Sequence, residues 1–284
     1  MKNTISDYHV HTHFSTDSEA PMEDMVKTAI AKGMNSICFT DHIDYGFPEH
    51  LDTFLFDIPS YLKEIARLRT LYGNKLFIYQ GVEMGIKNDV YEECDHLAKS
   101  FPFDFIIGST HLVDNEDPYY PDIWNSMDEK KCILRFFECT LENVRMNLDY
   151  DVYGHLDYII RYAPSVLPYR KNGQAVPSKL CDVMKDYGDI IDAILRELIK
   201  QGKGLECNTA GFHYGVGHPN PNEAILKHYR SLGGEILTIG SDAHQPEHLG
   251  YEFLKLPALL SSLGFNYYTT FQKRKPVFHP LASV

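Results

Sequence analysis

The chain has 284 residues, 44% of them hydrophobic, so it is long enough for a full globular core and its composition excludes a disordered protein. Thirty-nine acidic residues against 27 basic ones give a formal net charge of −12, which argues against a surface that holds long stretches of nucleic acid. No apolar run reaches the ~18 residues that a membrane span requires. The N-terminal residues have no signal-peptide core, and the six cysteines form no Cys-x-x-Cys pair. We therefore expect a cytoplasmic protein with a single domain over residues 1–284.

Short β-branched or aromatic runs alternate along the chain with longer amphipathic segments. The predicted strands cover residues 5–10, 35–40, 76–82, 103–108, 150–154, 204–208 and 235–240. The predicted helices cover residues 21–32, 58–72, 90–99, 127–148, 177–200, 221–232 and 247–263. Four of these helices are followed by a glycine, as helix C-termini often are: Gly33, Gly73, Gly202 and Gly233.

Seven repeats of strand and helix predict parallel pairing, because each helix returns the chain to the starting edge of the sheet. Six of the seven predicted strands end close to a candidate metal ligand. Barrels collect functional groups at the C-terminal ends of many strands, whereas an open doubly wound sheet concentrates its site at one switch point. The sequence therefore predicts an α/β fold, a distorted (β/α)7 barrel with a metal site at the C-terminal ends of its strands.

The first and last predicted strands are each followed by a pair of possible ligands. His9 and His11 are two residues apart, so both side chains are expected to leave the same face of the strand, and Asp7 shares that parity. Asp242 and His244 repeat this spacing after the last strand. An alternative role for Asp242 is to cap the helix that follows.

Single candidate ligands follow the other strands. Glu83 comes directly after the third predicted strand and has two oxygens with which to bridge a pair of ions, although a loop ion pair would also explain it. His42, His111 and His155 each follow a strand and gain significance from that position. Alone, His111 or His155 would more often be a structural histidine.

The first loop carries one more candidate, Asp17, which competes with His13 for the role of ligand and with a helix-capping role. Imidazoles and carboxylates are the ligands that zinc, manganese and iron accept. Nine such groups exceed what one ion can use, so the sequence predicts a cluster of ions. The predicted metal ligands are His9, His11, Asp17, His42, Glu83, His111, His155, Asp242 and His244.

The motifs that carry these residues resemble the polymerase-and-histidinol-phosphatase (PHP) family, and they occur in that family's order between residues 7 and 244. They are Asp7-x-His9-x-His11-Thr12, Thr40-Asp41-His42, Glu83, Ser109-Thr110-His111, Gly154-His155 and Ser241-Asp242-x-His244. The segments 108–114, 117–120 and 154–157 resemble its histidinol-phosphate phosphatase branch. The resemblance implies a distorted (β/α)7 barrel with three divalent ions at the C-terminal ends of its strands.

The resemblance also assigns the ligands to three ions. One ion would be held by His9, His11, Glu83 and Asp242, a second by the bridging Glu83 with His111 and His155, and a third by Asp17, His42 and His244. Many family members have a histidine where Asp17 falls, and a carboxylate there favours harder metals such as manganese. Zinc, manganese and iron all remain candidates.

The function implied by the resemblance is hydrolysis of a small phosphate monoester, L-histidinol phosphate, to L-histidinol and phosphate in histidine biosynthesis. The hypothesis is that a metal-bridged hydroxide attacks phosphorus, with Asp242, His42 or His244 assisting the leaving group. A phosphate monoester also requires a guanidinium fork. Arg161 is the first candidate, unless it is a surface arginine, and Arg170 and Lys171 follow it.

An acidic loop after the fourth strand, with Asp114, Glu116 and Asp117, would suit a cationic amine or would only be solvated.

We expect a small phosphorylated substrate as the partner, no membrane, and no stable nucleic-acid partner, with the oligomeric state left open. Three other functions stay open: hydrolysis of a phosphotyrosine peptide, a nucleotide or an oligonucleotide 5′ end; an amidohydrolase-like activity; and metal storage. No strand end carries a candidate for a carboxylated lysine, which argues against the amidohydrolase.

Overall fold

A parallel sheet forms the centre of the computed structural model, which describes residues 6–48 and 53–281. The strands are β1 Ser36–Phe39, β2 His42–Ile43, β3 Phe77–Gly85, β4 Phe105–Ser109, β5 Val152–Tyr153, β6 Gly204–Asn208, β7 Leu237–Gly240, β8 Tyr267–Gln272 and β9 Lys275–Pro280. The parallel order is β1-β3-β4-β5-β6-β7, with β2 also paired to β3. All residues of β4 and β6 are buried, as expected for strands covered on both faces.

The segment Asp7–Val10 closes this sheet into a barrel. The Tyr8 amide donates to the Ile239 carbonyl of β7 at 3.0 Å, and the Cys38 amide of β1 donates to the Asp7 carbonyl at 2.8 Å. The predicted strand 5–10 is therefore present only as isolated bridges between these edges, and residue 5 lies outside the described residues. With this segment counted, the predicted α/β class and distorted seven-stranded barrel are confirmed.

Helices cover the barrel between successive strands. They are α1 Met22–Ala31, α2 Ile58–Tyr72, α3 Tyr91–Ser100, α4 Pro121–Ser126, α5 Glu129–Arg145, α6 Leu167–Lys171, α7 Val183–Lys200, α8 Ala210–His213, α9 Glu223–Ser231 and α10 Leu256–Ser262. Short 3₁₀ turns lie at Asn88–Val90, Tyr158–Tyr162, Ser178–Leu180, Pro246–His248 and Phe253–Lys255. Among residues 6–48 and 53–281, no helix is both long enough and apolar enough to cross a membrane.

Three predicted helices differ in their bounds or continuity from the helices of the structure. The predicted helix 127–148 begins two residues late at α5, because the Asp128 carboxylate caps that helix by accepting from the amides of Lys130 and Lys131. The predicted helix 177–200 starts as a 3₁₀ turn before α7. The predicted helix 247–263 is replaced by two 3₁₀ turns and the short helix α10. Pro257 lies near the start of α10, where the absence of its backbone N–H loses no helical hydrogen bond.

The sequence analysis missed the C-terminal hairpin of β8 and β9. Its turn residues Lys273 and Arg274 both have positive φ, 50° and 62°, without the Asn-Gly pair that usually marks such a turn. The hairpin packs against the barrel at the end opposite the predicted ligands. Phe271 joins a buried cluster with Tyr8, Phe105 and Val152, and its carbonyl accepts from the Tyr8 hydroxyl at 3.0 Å.

Candidate metal centre

Glu83 lies at the centre of the predicted ligands. It is fully buried and sits within β3, which continues two residues beyond it to Gly85, so it is part of a strand and not of a loop. Five imidazole nitrogens lie within 3.4 Å of its carboxylate: His9 Nε2 at 3.0 Å, His11 Nε2 at 3.4 Å, His42 Nδ1 at 3.1 Å, His111 Nε2 at 3.2 Å and His155 Nε2 at 2.8 Å. Histidines from four separate segments of the chain therefore converge on one carboxylate.

The group expected to hold the first ion has the spacing of a coordination shell. His11 Nε2 lies 3.2 Å from Asp242 Oδ1 and 3.4 Å from Glu83 Oε2, and His9 Nε2 lies 3.7 Å from Asp242 Oδ1. Neighbouring ligand atoms around a tetrahedral ion with bonds of ~2.0–2.1 Å are roughly 3.3 Å apart. These four side chains could therefore contact one cation with little movement.

The other two expected groups are also assembled. His111 Nε2 and His155 Nε2 both face the second oxygen of Glu83, Oε1. On the other side, Asp17 Oδ2 lies 3.1 Å from His244 Nε2 and 3.7 Å from His42 Nε2. His13 is exposed and packs against Phe14, so of the two candidate ligands in the first loop Asp17 is the one that reaches the site.

Several ligand sets overlap, as a cluster of ions requires. In each of four sets of three residues, every residue offers one possible ligand atom, and these atoms all lie within 4.8 Å of one another. The sets are His11/His42/His244, His9/His11/Glu83, His9/His155/Asp242 and His42/Glu83/His111. His11 Nε2 and His42 Nδ1 are buried and make no hydrogen bond within the described part of the chain, although carboxylate oxygens are close by. Buried nitrogens left without a hydrogen bond among carboxylates fit coordination of cations.

The protonation states of Glu83 and His11 suit cation binding. Burial alone would raise the pKa of the Glu83 carboxyl, but His9, His42, His111 and His155 hold it well below its usual value. Burial, together with the neighbouring imidazoles of His244 and His42, lowers the pKa of His11 to about 3. At neutral pH the carboxylate is therefore ionised and the His11 imidazole is neutral, which is the form that binds metals.

Neither capping alternative from the sequence occurs. The turn Pro246–His248 has no side-chain cap, and neither does α1. Asp242 has a left-handed backbone with φ of 54°, which is uncommon outside glycine and concentrated at functional sites. Its side chain faces His11 and Asn208.

The Asp7 side chain does not lie among the candidate metal ligands with His9. Its carboxylate accepts from the backbone amide and hydroxyl of Ser241 at 2.9 and 2.5 Å and from the Gly250 amide at 2.9 Å. The parity argument fails here because the segment 7–10 is not a continuous strand. Asp7 instead ties the first segment to the loop that carries Asp242.

Two buried carboxylates that the sequence analysis did not assign support the ligands from behind. His111 Nδ1 donates to Asp44 Oδ2 at 2.5 Å, and His9 Nδ1 donates to Glu206 Oε1 at 2.6 Å. Such carboxylate–histidine contacts orient a ligand and select its tautomer. The i,i+2 spacing that pairs His9 with His11 also pairs His42 with Asp44, so a sequence signal for Asp44 was present.

A cavity of about 520 Å³ opens beside the ligands. This volume is typical of a site for a small molecule. Its lining includes six of the predicted ligands, four tyrosines close to them and one arginine: Asp17, His42, His111, His155, Asp242, His244, Tyr119, Tyr158, Tyr162, Tyr214 and Arg161. The cavity therefore combines metal-binding groups with groups that could recognise an anion and an aromatic or cationic ligand.

Arg161 is a buried cavity residue, not a surface arginine. It is 3% exposed, and its guanidinium stacks over the rings of Tyr158 and Tyr214 at 4.9 and 4.6 Å. Nη2 donates to Asn220 Oδ1 at 3.2 Å, while Nη1 lies 3.8 Å from Asp242 Oδ2. Nε is buried and has no hydrogen-bond partner among the described residues, while the side chain as a whole lines the cavity.

The reserve candidates are placed differently. Neither Arg170 nor Lys171 lines the cavity as the described residues form it; Arg170 Nε donates to the Tyr214 carbonyl, and Lys171 is exposed. In the acidic loop, Asp114 forms hydrogen bonds of 2.7 and 2.8 Å with Arg135, whereas Asp117 lines the cavity.

The sequence and the structure were each compared with known proteins, and both comparisons point to the same family. Residues 7–210 match the PHP domain. A histidinol-phosphatase of Lactococcus lactis is 32% identical over 95% of both chains, and a probable histidinol-phosphatase of Clostridium acetobutylicum is 31% identical over 88% of this chain and 90% of the other.

Among solved structures, the histidinol phosphate phosphatase of Lactococcus lactis in complex with zinc, L-histidinol and phosphate superposes with a TM-score of 0.84 at 30% identity, over 96% of this chain and 99% of the other. A putative histidinol phosphatase of Listeria monocytogenes superposes with a TM-score of 0.71 at 18% identity, over 88% and 99%, and shares the fold. With the domain match over residues 7–210 and the metal-ligand geometry above, these similarities show that the chain belongs to the PHP family.

Proposed function

We propose that this protein is a metal-dependent phosphatase that hydrolyses L-histidinol phosphate to L-histidinol and phosphate. The observation that carries the proposal is the buried carboxylate of Glu83 among five imidazoles, at the edge of a cavity lined by Arg161. The similarity to histidinol-phosphatases along almost the whole chain supports the choice of substrate.

The residues would hold three divalent ions, of zinc, manganese or iron. His9, His11, Glu83 and Asp242 would bind the first, Glu83 with His111 and His155 the second, and Asp17, His42 and His244 the third. When bound, such ions supply a hydroxide nucleophile at neutral pH and neutralise the phosphoryl oxygens. The fully buried Glu83 keeps the two sets of imidazoles at a fixed separation, because each of its oxygens faces a different set.

Arg161 would hold the phosphoryl group through its unpaired Nε and through Nη1. Burial opposes its charge, but Tyr162 and Asp242 raise the pKa of Arg161 above its ordinary value, so the guanidinium stays protonated. Asp242 lies 3.8 Å from Nη1, so a phosphoryl group held by Arg161 would also reach Asp242. The leaving oxygen needs a proton or a cation, and Asp242, His42 and His244 are the candidates to assist it.

The test is phosphate release by the purified protein, paired with elemental analysis of its metals. L-histidinol phosphate is expected to be hydrolysed with a kcat/KM orders of magnitude above those for phosphotyrosine peptides, nucleotides and 5′-phosphorylated oligonucleotides. A faster reaction with one of those esters would replace the proposed substrate. A metal-loaded protein that releases phosphate from none of them would overturn the proposal.

Asp117 would bind the cationic amine of this substrate, since it is an acidic residue in the lining of the cavity. Replacing it with asparagine is expected to raise KM for histidinol phosphate by about 2–5-fold, the loss of one partly exposed charge contact. KM for a phosphomonoester that lacks an amine should change little. Steady-state kinetics on both substrates check this, with Asp122→Asn on α4 as the control. An equal rise for both esters would contradict an amine contact.

A further inference from the structure

Glu206 is a buried carboxylate at the level of the metal centre, on a strand that supplies none of the predicted ligands. It is 1% exposed and lies in β6, which pairs with β5 on one side and β7 on the other. Its Oε1 accepts from His9 Nδ1 at 2.6 Å, and its Oε2 accepts from the backbone amide of His155 at 2.8 Å. One side chain therefore contacts a ligand of the first group and a ligand of the second.

The contact with His9 determines which nitrogen of the ring is free. A carboxylate only accepts hydrogen bonds, so Nδ1 carries a proton toward Glu206, and Nε2 is left as the nitrogen that can give its lone pair to a cation. That nitrogen is the one that faces Glu83 and Asp242. Carboxylate–histidine pairs of this kind orient metal ligands and raise their basicity.

The surrounding backbone leaves room for this contact. A Cβ at Gly240 would collide with the Cβ of His9 and lie 2.5 Å from Glu206 Oε1, so only glycine fits there. Asn208 Nδ2 lies 3.2 Å from Glu206 Oε2 and 3.3 Å from Asp242 Oδ2, and its Oδ1 accepts from the Ala210 amide. The carboxylate of Glu206 is thus held in a single place by donors on three sides.

We propose that Glu206 is a positioning residue that holds the ligands of two metal ions at once, so that the affinity of both sites depends on it. The inference rests on the metal centre of the proposed function and not on the identity of the substrate. It predicts that a substitution of Glu206 alone weakens the binding of two ions.

Glu206→Gln separates this role from simple packing. The glutamine side chain has nearly the same shape, but only one of its two terminal atoms accepts a hydrogen bond. Its amide nitrogen must then face either His9 Nδ1–H or the His155 N–H, so one of the two donors is left unpaired in a buried site.

The experiment removes metals from the full-length protein with a chelator and titrates Zn²⁺ back in competition with a chromogenic chelator. Glu206→Gln is expected to weaken binding of two ions by about 10–100-fold each. The matched control is Asp104→Asn, since Asp104 is also a buried carboxylate that accepts backbone hydrogen bonds, but at the hairpin end of the barrel. This control is expected to keep the parent Zn²⁺ affinity, and circular dichroism checks that each variant is folded.

Parent-like Zn²⁺ affinity in folded Glu206→Gln would overturn the inference, and weakening of one ion alone would overturn the double role. If that variant does not fold, Glu206→Asp keeps the buried charge but is one methylene shorter, and the same two ions should be weakened; unchanged affinity there would count against the inference. A parent protein that binds Zn²⁺ but does not hydrolyse histidinol phosphate would remove the proposed substrate and leave the test of Glu206 intact.

Discussion

Replacing Glu83 with alanine is expected to lower the turnover of histidinol phosphate by about 10³-fold or more, because metal stabilisation of transition-state charge is worth several kcal/mol and each 1.36 kcal/mol is tenfold in rate. The carboxylate faces five imidazoles, so its loss leaves two of the expected ligand sets without their shared oxygens. Bound metal should fall together with activity. The barrel should still fold, since the helices and the hairpin do not depend on this side chain.

Steady-state phosphate release and elemental analysis of the Glu83→Ala protein measure both effects, with circular dichroism to confirm the fold. Glu138→Ala, an exposed carboxylate on α5 that pairs with Arg135, serves as the control and should retain activity and metal. A Glu83→Ala protein that hydrolyses the ester at the parent rate would show that the proposed centre is not the site of reaction.

Replacing Arg161 with alanine is expected to lower kcat/KM by about 10²-fold, since hydrogen bonds to charged groups contribute roughly 1.5–3 kcal/mol. Arg161→Lys should recover only part of this, because an ammonium group lacks the planar fork that matches a phosphoryl group and stacks between Tyr158 and Tyr214. Inhibition by inorganic phosphate should weaken in both variants, and metal content should stay at the parent level.

Arg170→Ala is the comparison for this prediction. Arg170 contacts the Tyr214 carbonyl and does not line the cavity, so its loss should cost less than the loss of Arg161. If Arg170→Ala caused the larger rise in KM and in the phosphate inhibition constant, the phosphate would have to be reassigned to Arg170.

Most of the barrel was predictable because buried strands and amphipathic helices leave strong local patterns. The helix over 58–72 agrees with the structure at both ends, since Asp57 caps its start and Gly73 follows its end. The hairpin at residues 267–280 was missed because its turn uses Lys273 and Arg274 in place of the residues that usually adopt positive φ. The helix over 247–263 was overestimated because apolar periodicity does not reveal a left-handed residue such as Glu252.

At the site, residue type and position after a strand were sufficient to predict eight of the nine ligands, whereas they did not separate Asp17 from His13 in the first loop. The alternation of side chains along a strand correctly placed His9 and His11 on one face but did not place Asp7. That rule holds only where the backbone is a regular strand. That these nine groups bind three ions stays a prediction, and the metal titration and elemental analysis test it.

The sequence by itself determined the class of fold, the chemical identity of the ligands and the end of the barrel at which they lie, because each of these depends on local pattern and on chain order. Only the tertiary structure decided that Glu83 is shared by five histidines, that Arg161 enters the cavity while Arg170 does not, and that Glu206 supports His9 and His155 from behind. These relations join strands that are far apart in the chain, and they depend on the register and closure of the barrel, which no local pattern of residues encodes.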